Sequence, residues 1–290
     1  MKNLYIDLET SSSVNLAKAG VYRYAEAEDF KILLFACSVD GEPVHVYDLA
    51  HFESLPTEIL EALTDRSVTK GANNRNFERV CRSRFLGYPG GSYMPPEQVK
   101  GVMTWGAYLG LPMSLEKISE VMKLRQGKLD TGKGLIRKFC HSGAALPMKD
   151  DAQWQMFCEY CKREVLAEME ICTKLSPWPV PEFVGQEFFV SERINDRGVA
   201  IDKTLVKNAI HFSKAAAGEA MEQLVRFTGL ENPNSVQQLK GWLREQGIEV
   251  DSLDKVAVER LLNELPEGED VVRQELQLRQ QLSKTSIAKY

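Results

Sequence analysis

The sequence predicts an α/β domain followed by a smaller, almost wholly helical segment. Three observations predict it. Up to about residue 178 the text alternates between strand-like and helix-like runs, with an antiparallel start. The stretch SPWPVPEF, Ser176 to Phe183, then places three prolines in eight residues, which no helix continues through. Beyond it nearly every segment has helical periodicity. The expected domains are therefore 1–178 and 179–290.

In chain order, NLYIDLE reads as a strand. KILLFACSVDGEPVHVYDL reads as two strands joined by a hairpin turn at Asp40-Gly41. SVTKGANN reads as a short strand entering a loop. NFERVCRSRFLG, PPEQVKGVMTWGAYLG and SLEKISEVM read as helices, and a long helix is expected from about Asp150 to Leu175. In the second segment GQEFFVSERINDRG and four further runs are helical. Gly229, Gly247 and Asn232-Pro233-Asn234 punctuate them.

The composition bounds the function. With 290 residues, 43% hydrophobic and 27% charged, the chain is long enough for two ordinary globular domains. Its net charge of −5 argues against a protein that grips long duplex through phosphates, but leaves room for a local groove built from carboxylates. No apolar run is long enough to span a bilayer. The start, MKNLYIDLET, lacks a secretory pattern, so a cytoplasmic location and no membrane partner are expected. The six cysteines show no framework of repeated pairs. Cys158 and Cys161 form one C-x-x-C with no second pair, and reduced cysteines on a helix are expected.

Chemistry enters at YIDLETSS. Residues i and i+2 of a strand share a face, so Asp7 and Glu9 project together. Two like charges that close repel unless a cation stands between them, and paired hard oxygen ligands suit Mg²⁺ or Mn²⁺. Taken alone the pair also suits an edge strand with solvent-facing acids. Two further stretches bear on the choice. ANNRNFERV places Asn74 and Glu78 after a strand, with Phe77 before the acid. YCKREV places Tyr160 and Glu164 at i and i+4, one turn apart on one helix face.

The order of acid pair, N-x-x-F-acid and Y-x-x-x-acid resembles the three motifs of the DEDD exonuclease superfamily, in its tyrosine-containing branch. YIDLETSS, ANNRNFERV, GLPMSLEKI, GKGLIRKFC and YCKREV are similar to the 3′–5′ proofreading domain of phage-type family A DNA polymerases. SERINDRGVAIDKTLV, NPNSVQQLKGWL and LSKTSIAKY resemble the segment leading into their thumb. The resemblance implies a ribonuclease H-like exonuclease domain, a mixed sheet with flanking helices, followed by an incomplete helical polymerase segment. The palm motifs D-Y-S-x-I-E and H-D-E and the fingers motif K-x-x-x-x-x-x-Y-G do not occur. The chain is therefore not expected to polymerise by itself. It reads as a piece of a longer polymerase or as half of a split one, with palm and fingers as its missing partners.

The resemblance further implies 3′–5′ hydrolysis of DNA with two divalent ions, Mg²⁺ or Mn²⁺, as proofreading in DNA replication. The partner would be a single-stranded 3′ end or a frayed primer terminus, in a bacterial or phage-infected cell. Asp7 would bridge the ions, Glu9 and Glu164 would complete the first, and Glu78 would hold the second. Tyr160 would orient the attacking water. Thr10, Asn74 and Phe77, beside the acids, are the implied substrate-binding residues. Two departures matter: the second and third motifs end in Glu78 and Glu164, where the wider superfamily has aspartate; glutamate is common at the second among phage-type members, but aspartate is expected at the third. Two alternatives stay open, a ribonuclease D-like RNA-trimming enzyme and a catalytically weakened structural domain.

Other residues carry plainer expectations. Arg75, Arg79, Arg82 and Arg84 read as a solvated helix face, with contact to single-stranded phosphates as the alternative, and Trp105, Tyr108 and Leu109 as core. His141 reads as an exposed or satisfied histidine. Lys128, Lys133, Arg137 and Lys138, around GKGLIRKFC, are candidates for phosphate contact.

Overall fold

The protein is described here from a computed structural model, for residues 1–125, 132–266 and 268–282. It divides into two compact units, Met1–Val199 and Ala200–Tyr290.

The first unit is built on a five-stranded mixed sheet. The chain runs β1 (Asn3–Ser11), α1 (Leu16–Ala25), β2 (Lys31–Val39), β3 (His45–Asp48), α2 (Thr57–Thr64), β4 (Thr69–Ala72) and α3 (Arg75–Phe85). It continues through β5 (Val99–Gly101), α4 (Val102–Tyr108), α5 (Leu115–Met122), α6 (Gly132–Phe139), α7 (Ala152–Leu175) and α8 (Glu182–Arg197). The strand order is β3-β2-β1-β4-β5. β1, β2 and β3 pair antiparallel, while β4 and β5 extend the sheet parallel to β1. This is the ribonuclease H-like arrangement of a mixed sheet with flanking helices.

β1 alternates strictly, and its two faces have different jobs. Leu4, Ile6 and Leu8 point into one core with Ala25, Ile59, Leu63, Val80 and Cys81, which belong to α1, α2 and α3. Tyr5 points the other way, into the core that Leu135, Phe139, Phe157, Tyr160, Cys161 and Val165 form on α6 and α7. Asp7 and Glu9 share the face of Tyr5. β1 is the middle strand, so the edge-strand reading of these acids does not hold: both are buried.

The Asp40-Gly41 hairpin forms as expected. Both residues have positive φ, 48° and 89°, and the Glu42 N–H donates to the Val39 carbonyl at 2.8 Å. The expected helix over 95–110 is corrected. Pro96–Gln98 make one 3-10 turn and Val99–Gly101 make the short edge strand β5; helix begins only at Val102. Three residues show no readable alternation, and pairing with β4 decides their state. α1, α2 and α6 are short helices that periodicity did not disclose. α1 is kinked at Gly20, where φ is 76°.

The arginines of α3 are also corrected. Arg75, Arg79 and Arg82 are buried, and Arg84 alone of the four is exposed. Arg79 donates to Glu192 at 2.9 Å and Asp196 at 2.7 Å on α8, and to the Met94 carbonyl at 2.9 Å. Tyr22 on α1 donates to Asp196 at 2.8 Å. Arg75 stacks on Phe188, its guanidinium carbon 3.1 Å from the ring centroid. α8 is thus fastened to the first unit, one helix beyond the proline-rich stretch at which the sequence suggested a boundary. Tyr108 is exposed, not core; Trp105 and Leu109 pack against the α4–α5–α7 cluster. All six cysteines are free.

The second unit contains α9 (Lys203–Thr228), α10 (Val236–Glu245), α11 (Lys255–Glu264) and α12 (Asp270–Leu282). Asp202, Ser235 and Asp254 cap the first three, each accepting from backbone N–H groups of the first turn. Gly229 closes α9 with φ 68°. Leu239, Trp242, Leu243, Val258, Val272 and Leu276 form its core. Among the described residues, no helix is long and apolar enough to cross a membrane. Lys128 and most of LSKTSIAKY lie outside the described residues.

Glu275 sits fully buried in this core, and neither carboxyl oxygen has a hydrogen-bond partner among the described residues. Burial raises its pKa from 4.5 to about 7, with Arg279 opposing. The folded state therefore holds a proton that the unfolded state has lost between roughly pH 4.5 and 7, and stability falls as pH rises through that window. At pH 8 the cost is on the order of 3 kcal/mol. Glu275→Gln is expected to raise the unfolding midpoint of this unit by several degrees at pH 8 and to change it little at pH 4.5. Scanning calorimetry at both pH values checks this; equal shifts would assign the effect to packing.

Candidate active site

Four elements deliver the acids to one place. β1 supplies Asp7 and Glu9 near its carboxyl end. At that point the β1–β2 register slips, with Glu9 opposite Leu34 but Thr10 opposite Ile32. The extra residue, Leu33, lies on β2; Thr10 keeps the face of Leu4, Ile6 and Leu8 and so points toward α1, where its hydroxyl bonds the Tyr24 hydroxyl at 2.8 Å. β4, parallel to β1, runs out at Ala72 and turns through Asn73 into α3, whose first turn carries Glu78. α7 crosses the opposite face and brings Tyr160, Cys161 and Glu164. The crevice lies beyond the carboxyl ends of β1 and β4, where their connections leave in opposite directions, a general place for ligands in open α/β sheets.

The result is an open cleft of about 610 Å³. Asp7, Glu9, Thr10, Phe77, Glu78, Tyr160 and Glu164 all line it. Asn74 does not: it is exposed at the start of α3, where its backbone carbonyl accepts from Phe77 N–H at 2.9 Å. Its neighbour Asn73 lines the cleft instead, with Oδ1 buried and lacking a hydrogen-bond partner among the described residues. Phe77 packs beside Tyr24, ring centroids 6.2 Å apart. His141 is exposed at the rim and bonds the Ser142 carbonyl. Of the basic residues around GKGLIRKFC, Lys133 pairs with Glu116 at 3.1 Å and Lys138 bonds Gln153.

The electrostatics are those of crowded, dehydrated carboxylates. Glu78 is 3% exposed, and its Oε2 has no hydrogen-bond partner among the described residues. Burial, then the charge of Asp7, pushes its pKa well above the usual carboxylate range. Tyr160 is 2% exposed and hydrogen-bonds Glu164; burial first and Glu164 second hold its phenol protonated. Two thiols approach the acids. Cys161 Sγ stands 3.4 Å from Asp7 Oδ2, and Cys140 Sγ 3.6 Å from Glu9 Oε2. Burial, with the neighbouring carboxylates, raises both thiol pKa values, so these are neutral donors.

One further acid was not expected. Glu168 is 1% exposed, and burial followed by the charges of Glu78 and Asp7 raises its pKa. Its carboxyl packs on the bare backbone of Gly71 in β4: a Cβ at Gly71 would stand 2.7 Å from Glu168 Oε1. Extending the i, i+4 series from Tyr160 through Glu164 reaches Glu168, so a signal was available. The compensating cation is Arg82, whose burial the sequence did not disclose. It is fully buried, its Nε donates to the Glu78 carbonyl at 3.0 Å, and burial lowers its pKa to about 10.

The single charge of Arg82 does not balance this many acids. The donor set, mostly carboxylate oxygens with an unpartnered Glu78 Oε2 among them, fits hard divalent cations. Asp7 and Glu9, with Cys161, each present a donor atom within 4.8 Å of the other two, and all three are buried.

No protein-family model matches the chain. It is 40% identical, over 300 residues, to the DNA polymerase of Bacillus phage SP02; the match takes in all of this chain and 45% of that protein. The chain thus spans a little under half the length of the polymerase to which it is similar. Among solved structures, Escherichia coli RNase D, an exoribonuclease involved in structured RNA processing, overlaps with a TM-score of 0.42 at 14% identity, over 97% of this chain and 70% of its own. NrnC of Brucella melitensis bound to pGG overlaps with a TM-score of 0.41 at 14% identity, over 68% and 82%.

A buried, unpartnered carboxyl near a second one predicts a defined response. Glu78→Gln removes the charge at constant shape. Its unfolding midpoint in EDTA at neutral pH is expected to exceed that of the parent chain by a few degrees. The rise that millimolar Mn²⁺ gives the parent is expected to shrink or vanish. Thermal scans with EDTA and with MnCl₂ check both; a lower midpoint in EDTA would show that the carboxyl is held by partners instead.

Proposed function

We propose that the chain is the 3′–5′ exonuclease part of a phage DNA polymerase of family A, removing nucleotides from mispaired DNA 3′ ends during replication in a bacterial cytoplasm. The observation that carries this is convergence: Asp7, Glu9, Glu78, Tyr160 and Glu164, spread over most of the first unit's sequence, all line one cleft. Similarity along the whole chain to a phage DNA polymerase supports the polymerase context. On this reading residues 1–178 hold the exonuclease, residues 179–290 are a helical segment related to the approach to the thumb, and palm and fingers lie elsewhere in the polymerase.

Asp7, Glu9, Glu78 and Glu164 would hold two divalent ions, Mg²⁺ or Mn²⁺. When bound, such a pair lowers the pKa of a water and neutralises charge on the phosphate and the leaving 3′ oxygen. The chain's own groups do the rest. The Tyr160 phenol, kept protonated by burial and by its hydrogen bond to Glu164, accepts one hydrogen bond from water and so fixes the direction from which water approaches. Phe77 offers an apolar face to the terminal base, a contact of about 1–3 kcal/mol that tolerates any base. Thr10, tied to Tyr24, borders the same pocket and limits where the sugar can lie.

Incubation of the chain with 5′-labelled single-stranded DNA and Mg²⁺ or Mn²⁺ is expected to give a ladder shortening from the 3′ end, absent with Asp7→Ala. No ladder from a folded sample would sink the activity. Matched DNA and RNA 3′ ends settle the substrate: faster trimming of RNA would replace this reading with an RNA-processing one.

Glu164 carries one methylene more than the aspartate expected at its position. A misplacement of about 1 Å at a reacting centre can cost on the order of 10²-fold in rate. Glu164→Asp is expected to raise kcat, by up to that factor, in single-turnover assays. A fall in kcat would show that the cleft is fitted to the longer side chain.

A further inference from the structure

The stretch GKGLIRKFC holds two glycines, Gly132 and Gly134, in the first turn of α6. Neither has positive φ, so neither is required by backbone conformation. Alanine is the better helix former at both positions. What separates them is their surroundings. A Cβ built on Gly134 would meet nothing within 4 Å. A Cβ built on Gly132 would stand 2.2 Å from Cε2, 2.7 Å from Cδ2 and 2.9 Å from Cζ of Tyr160. Gly132 is buried, and the phenol ring lies directly on its backbone. The ring is 2% exposed and borders the cleft, so the direction left to it is toward the site. It belongs to a closely packed cluster with Phe157, which is fully buried and nearly parallel to it at 5°, centroids 6.4 Å apart.

We propose that Gly132 is a positioning residue for the reaction: its bare backbone seats the Tyr160 ring and thereby holds the phenolic hydroxyl on Glu164 at the cleft. This rests on the reading that the Tyr160 hydroxyl directs the attacking water. A methyl group at 132 pushes the ring aside, because contacts under 3 Å cannot persist and the far end of a packed ring carries the displacement to the hydroxyl. Alignment of the water is lost while the strand-binding surface of the cleft, formed by Phe77 and its neighbours, is untouched. The defect therefore falls on kcat and not on KM. α6 also carries Ile136 into the cleft wall, and Cys140 follows it there. The motif is thus a seat for a reacting side chain and not a phosphate loop.

The test is a double-mutant cycle in the 290-residue chain on single-stranded DNA. Gly132→Ala is expected to lower kcat roughly 10- to 100-fold with KM within about twofold. Tyr160→Phe is expected to lose a similar factor. The double variant is expected to be no worse than about twofold below Tyr160→Phe, because the hydroxyl that Gly132 positions is already gone. Gly134→Ala is expected to match the parent chain. Full activity of Gly132→Ala, or losses that multiply in the double variant, would overturn the inference while leaving the nuclease reading intact. Full activity of Tyr160→Phe would remove Tyr160 from the mechanism, and a parent chain without turnover would sink the nuclease reading; the inference falls with either. If Gly132→Ala does not fold, adding Tyr160→Ala, which removes the ring the methyl meets, is expected to restore a cooperative unfolding transition. Failure to restore it would overturn the proposed contact.

Discussion

Carboxylates gathered out of water at the middle of a sheet are the constraint on which the first unit depends. Asp7 and Glu9 are buried on the central strand, and Glu78 and Glu168 are buried beside them. Unassisted, such a group favours neutral carboxyls, and the raised pKa values of Glu78 and Glu168 express that preference. The fold tolerates it through neutral donors and the buried guanidinium of Arg82. Tyr160 and two protonated thiols face the acids, and Arg82 lies beneath them. A site assembled this way is incomplete as a charge balance, which is the condition under which binding a divalent cation adds stability as well as chemistry.

The remaining architecture serves to keep that group in place. β1 is flanked on both sides, so its position is fixed by two ladders, one antiparallel and one parallel. α7 is set against the acid-bearing face by Phe157, Cys161 and Val165. α3 is held by Arg79, whose buried ion pairs reach α8. Removing one member of such a buried pair typically costs about 3–5 kcal/mol, so α8 is tied to the helix that carries Glu78. Bare backbone matters at two points: Gly71 accommodates Glu168, and Gly132 accommodates Tyr160. Each lets a functional element pack closer than any side chain would permit.

The sequence by itself determined which residues line most of the cleft. Asp7 and Glu9 follow from the period of a strand, and Tyr160 and Glu164 from the pitch of a helix. Both are local geometries, so two residues within a turn or a pleat suffice to place them on one face. The Asp40-Gly41 turn, the long helix α7 and the capped helices of the second unit are legible for the same reason. Tertiary structure alone decided the rest. That β1 is central and not an edge depends on which strands pair with it. That Val99–Gly101 is a strand depends on a partner at β4, since three residues carry no period. That Arg75 and Arg79 are buried depends on Phe188, Glu192 and Asp196, more than a hundred residues away, and that Arg82 is buried depends on the acids gathered around it, Glu78 and Glu168. Asn73 takes the place expected for Asn74 because the turn from β4 into α3 sets which of two adjacent amides faces the cleft. For the strands and for Arg75 and Arg79 the partner is distant in the chain, and burial, pairing and charge balance are properties of the pair.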